Sequence, residues 1–120
     1  MRKILLGLSI LALGATPALA ADDVMAGYYG NTVVSSGGMF TANTHYRADH
    51  SFDVLGSGMG MTKTFKGTWA IDDKGQLCRT FDPPVPGRTN PDCGTLESHA
   101  VGDKWNSADG GTITLTQGVN

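Results

Sequence analysis

Thr62–Ile71 reads TKTFKGTWAI. Phe65, Gly67, Trp69 and Ile71 recur at every second position, so an extended chain puts them on one face and Lys66, Thr68 and Asp72 on the other. A helix would scatter the same residues around its circumference. The stretch therefore predicts a half-buried β-strand, and its period is the one against which the rest of the chain is read.

The same alternation extends outward in both directions as short segments punctuated by glycine and Asp-Gly turns. Upstream, strands are expected over Asn31 to Ser36, over Met39 to Tyr46 and over Ser51 to Leu55. Phe40, Ala42, Thr44 and Tyr46 share one face of the second of these, and Phe52 and Val54 share a face of the third. Downstream, strands are expected over Gln76 to Phe81, Thr95 to Val101, Lys104 to Ser107 and Thr112 to Gln117. In the first of these, Leu77, Arg79 and Phe81 lie together and Cys78 points the other way; in the last, Ile113 and Leu115 point inward. No long segment carries helical spacing. Seven or eight short strands at intervals of about ten residues predict an all-β domain, a small antiparallel β-barrel or sandwich.

Arg2 and Lys3, the apolar run from Ile4 to Leu13 and the ending Pro17-Ala18-Leu19-Ala20 predict a signal peptide over residues 1–20, cleaved after Ala20. The apolar run is too short to span a bilayer. A periplasmic or secreted single domain over residues 21–120 is expected. Removing Arg2 and Lys3 leaves seven Lys plus Arg against eleven Asp plus Glu, a formal charge of −4. That surface disfavours nucleic acid and anionic lipid as partners.

Export places Cys78 and Cys93 in an oxidising compartment, and their separation is unlike the C-x-x-C of redox or zinc sites. A structural disulfide is expected, stabilising the fold by about 3 kcal/mol in the chain-entropy account. The enclosed RTFDPPVPGRTNPD contains four prolines, which cannot join a sheet interior and need that restraint.

Met59 and Met61, in GSGMGMTK, would share a face of an extended strand, and paired thioethers suit a soft ion such as Cu(I). The Met-Gly-Met triplet resembles that of small periplasmic copper chaperones, which add a histidine and a tryptophan; His45, His50 and Trp69 are the candidates for those roles. The competing expectation is a glycine bend whose methionines fill space at an open barrel end. Five positions apart, His45 and His50 would face opposite ways on one strand. Glu97 and His99 form the one acid–base pair at same-face spacing, with Ser98 between them. No nucleophile elbow, phosphate loop or dinucleotide fingerprint accompanies them, so no enzymatic activity is expected. Phe40, Tyr46, Phe52, Phe65, Trp69 and Trp105 are expected to form the core or to line a ligand cavity.

Gly30-Asn31-Thr32, Phe52 after a turn, Gly67-Thr68-Trp69 and Gly75-Gln76-Leu77-Cys78 resemble a group of small exported alphaproteobacterial β-proteins of unknown function, over Tyr28 to Cys93. The same core is more faintly similar to the periplasmic lipocalin-like inhibitors of secreted metalloproteases. That resemblance implies a calycin-type barrel with one disulfide and a protease-inhibitor module. Those inhibitors insert an N-terminal arm into the protease, and Ala21-Asp22-Asp23-Val24-Met25 lacks the prolines and glycines of such an arm. The expectation from all these readings is an exported, non-catalytic binding or structural domain acting on an unknown protein or small ligand.

Overall fold

The computed structural model describes residues 21–119, so the expected signal peptide lies outside the described residues. A short helix α1 (Ala21–Ala26) leads into strands β1 (Asn31–Gly37), β2 (Phe40–Tyr46), β3 (Ser51–Gly58), β4 (Met61–Ile71), β5 (Gln76–Phe81), β6 (Asp92–Thr95), β7 (Lys104–Asn106) and β8 (Thr112–Gln117). All pair antiparallel in one sheet of order β6-β5-β4-β3-β2-β1-β8-β7. The sheet curls into a half-barrel, and among the described residues its edges β6 and β7 do not pair with each other. Among those residues no helix is long and apolar enough to cross a membrane.

Register carries the TKTFKGTWAI alternation across the sheet. Val33, Thr44, Val54 and Phe65 stand opposite one another in successive strands, and Tyr46, Phe52, Gly67 and Phe81 form the next row. Because opposed residues project to the same side, these rows make one continuous concave face. Phe52 and Trp69 on it are each only 1% exposed. Gly67 is the narrow point of that face: a Cβ there would lie 1.9 Å from the Thr80 carbonyl oxygen. Glycine lets β5 approach β4 and lets the aromatic rings on either side close over the gap.

Trp69 is buried with its polar atom satisfied, since its indole Nε1 donates to the Arg47 carbonyl at 2.9 Å. His50, at the β2–β3 turn, stacks on that indole with ring centres 3.9 Å apart. Its Nδ1 also lies 3.0 Å from the Trp69 carbonyl oxygen.

One expectation is corrected. Thr95 to Val101 is not a strand: the last strand before β7 is Asp92–Thr95, because Cys93 sits directly opposite Cys78 and the disulfide closes across that pair. Beyond Thr95 the chain leaves the edge, Leu96 packs on the core, and the Tyr28 hydroxyl donates to the Glu97 carbonyl. Helix α1 was not legible, since its six residues are under two turns and show no repeat. It is held by tertiary packing, with Met25 fully buried.

Candidate functional site

The concave trough is filled at one end and open at the other. Met25, Tyr28, Tyr46, Phe52 and Trp69 fill the end near α1 and belong to a single buried cluster. Tyr28 meets Tyr46 edge-on at 6.0 Å, and Phe52 meets Phe81 edge-on at 5.1 Å. Toward the β1–β2 and β3–β4 hairpins the trough narrows to small residues, Ser35, Ala42 and Gly56, and a cavity of about 500 Å³ remains. Its apolar wall is Val54, Phe65 and Phe81, with Val85 from the proline loop opposite.

Two arginines reach this cavity. Arg79 stands on the concave face of β5 between Leu77 and Phe81 and is only 24% exposed at its side chain. Its guanidinium lies 5.5 Å from the Phe81 ring centre and 6.0 Å from that of Phe52. Arg88, from the proline loop, lies 5.6 Å from the Phe81 ring centre on its own account. Both donate to the same Asp92 oxygen, at 3.0 and 2.9 Å. One carboxylate therefore serves two guanidinium groups, leaving a positive excess on this wall. Burial opposes the Arg79 charge, but Tyr46 and Asp92 outweigh it and its pKa is raised. Burial also raises the Tyr46 hydroxyl, with Arg79 pulling the other way. Asp109 stands on the opposite rim, its carboxyl held below the ordinary range by hydrogen bonds from Ser107 and the Gly111 amide.

The proline loop is placed by side chains as well as by the disulfide. Asn90 accepts from the Phe81 amide at 2.8 Å and donates to the Phe81 carbonyl at 3.2 Å, imitating a strand partner where the prolines cannot pair. A wider depression of about 660 Å³ lies on the convex side, lined by Arg47, Asp53, Lys66 and Asp82. Its charged side chains are already matched in part, since Arg47 and Asp53 pair with each other.

The expected site residues separate. Phe52, Tyr46 and Trp69 are core, Phe65 lines the cavity, Trp105 is half-buried, and Phe40 stands out at the open rim. His45 is buried near the β2–β3 turn end of β2 with Nδ1 2.7 Å from Asp53, and His50 lies in that turn, at the opposite end from Met59 and Met61. Strand rise over β3 puts roughly 25 Å between His50 and Met59, so the histidines and Trp69 do not join the methionines in one clip. Met59 and Gly60 form a two-residue turn, both with positive φ (52° and 76°), and Met61 opens β4.

Glu97 and His99 do meet, at 2.9 Å, with Asp103 3.5 Å from the other ring nitrogen and Trp105 stacked at 3.4 Å. Neither residue lines either cavity. Among the described residues Asp72, Cys78 and Cys93 cluster at metal-ligand distance, but both thiols are consumed by the disulfide. The stretch over Ala21–Ala26 is a helix anchored by Met25, which differs from an extended inhibitory arm. Reasoning from the sequence missed the arginine pair, although its signal was present: Arg79 alternates in phase with Leu77 and Phe81.

Comparison of the chain with family models, curated proteins and solved structures finds no match.

Proposed function

We propose that this protein is an exported, non-catalytic binding protein that takes a small, largely apolar molecule bearing an anionic group into the open end of its concave trough. The observation that carries the reading is the unfilled space of about 500 Å³ beside Arg79, a mostly buried arginine set among phenylalanine rings. A core that needed only stability would close such a space or avoid a guanidinium beside it. Pockets of this size, apolar with a few convergent polar groups, suit small-molecule ligands. A carboxylate on the ligand would take the guanidinium hydrogens that Asp92 and Tyr46 leave unused. Export is supported by the leader pattern at residues 1–20 and by the disulfide, which suits an oxidising compartment.

The test is calorimetric titration of the protein, produced from the full-length chain, with 2-naphthoate and with the matching uncharged 2-naphthalenemethanol. Naphthoate is expected to bind about tenfold more tightly, worth about 1.4 kcal/mol. Arg88→Ala should reduce it to the level of the alcohol. Equal, Arg88-insensitive binding of both probes, or binding of neither, overturns the reading.

A further inference from the structure

Three methionines flank one glycine, Gly58. Phe40 pairs with Gly58 at the end of the β2–β3 ladder, and Gly58 pairs with Met61 at the end of the β3–β4 ladder. Met59 follows Gly58 directly, and Met39 precedes Phe40 in the neighbouring hairpin turn. The two turns are in close contact there: a Cβ at Gly58 would lie 2.3 Å from the Met39 carbonyl oxygen and 2.6 Å from the Phe40 ring. Adjacent and cross-strand spacings put the Cα atoms of Met59 and Met61 within about 6 Å of that of Gly58. Unbranched side chains with three rotatable bonds can then bring their sulfurs together.

These methionines do not serve the core. Met39, Met59 and Met61 are 65, 67 and 69% exposed, whereas Met25 is fully buried. Met59 also occupies a backbone position, φ 52°, where a long side chain is disfavoured and glycine or asparagine is usual. A left-handed turn residue with a long side chain costs stability, and none of the three methionines is among the residues packed on the core cluster.

We propose that the adjoining tips of the β1–β2 and β3–β4 hairpins form a binding site for a soft monovalent ion, Cu(I), with the thioethers of Met39, Met59 and Met61 as its three ligands. Thioether sulfur is neutral and soft, so such a set takes Cu(I) or Ag(I) and rejects Zn(II) and hard cations. It has no proton to lose near neutral pH, which makes uptake insensitive to pH, unlike uptake by histidine or cysteine. Phe40, 57% exposed beside Gly58, offers a ring face to the bound cation. The step is coordination alone, without change of oxidation state. It needs neither His45 nor His50.

The experiment labels the methionine methyl groups of the protein with carbon-13 and titrates it with Ag(I) and, under anaerobic conditions with a competing chelator, with Cu(I). One equivalent is expected to shift the methyl signals of Met39, Met59 and Met61 together and leave Met25 unmoved. Zn(II) should shift none of them, and the affinity should be the same at pH 5.5 and 7.5. Each Met→Leu substitution at the three positions should weaken binding tenfold or more while the circular dichroism stays unchanged. His45→Gln, His50→Gln and Arg88→Ala should leave affinity unchanged, the last separating this site from the trough. Absence of binding, a shift at fewer than three of these methyls, or affinity indifferent to the leucine substitutions overturns the proposal.

Discussion

Asp53 shows how a single side chain ties the convex face together. It accepts from His45 on one oxygen and from Arg47 on the other, bridging neighbouring strands β2 and β3. Burial pushes its carboxyl up, but the Arg47 and His45 hydrogen bonds and charges outweigh that and hold it below the ordinary 3.8. A carboxyl whose folded value is depressed binds protons more readily when unfolded. Its contribution is therefore complete above the ordinary range and is lost as pH falls from 3.8 toward the lower folded value. Urea midpoints at pH 6 and pH 3 should separate for the native protein, and Asp53→Asn should narrow the gap; an unchanged gap would remove Asp53 from the acid response. None of this bridge was legible locally, because His45 and Asp53 become partners only through the β2–β3 register.

The element most dependent on covalent restraint is the segment from β5 to β6. Strand β6 has four residues at a sheet edge, and the loop before it carries all four of the prolines between the cysteines. Short edge strands blunt unwanted pairing but hold few hydrogen bonds of their own. Replacing Cys78 and Cys93 together by serine should cost about 3 kcal/mol by chain entropy, measured as a fall in the urea midpoint. Hydrogen exchange should rise first in β6 and the β5 amides facing it, while β1–β2–β3 stay protected; uniform loosening would contradict this. The disulfide and the strand β5 were legible from spacing and alternation, whereas the placing of β6 at Asp92–Thr95 was not. The cysteine register decides it, and the residues after Thr95 are drawn off the edge by Leu96 and Tyr28.

At the scale of the molecule, what matters is that one sheet encloses a trough that its own side chains fill only in part. The filled end holds Phe52, Trp69 and Met25; the other end is lined by Ser35, Ala42 and Gly56. Ala42→Leu puts a larger apolar side chain into that space, so folding should be unharmed or gain about 1 kcal/mol while naphthoate binding is lost. Thermal melts and calorimetry on the same sample check both halves of the statement. A variant that keeps full binding would show that the ligand does not enter the trough.

Alternation with period two is a local property, and the sequence by itself therefore determined the all-β class and most of the strands with their inward faces, β6 excepted. With two cysteines fifteen positions apart and no C-x-x-C in view, it also pointed to the bridge that forms. Tertiary structure alone decided that the sheet stays an open half-barrel, that Arg79 and Arg88 share Asp92 over a Phe81 ring, and that the Met39 turn comes up against Gly58, beside Met59 and opposite Met61, while His50 is carried to the far end. Each of those depends on the register between strands and on the volume that packed side chains leave over, quantities that arise only when distant segments are brought together.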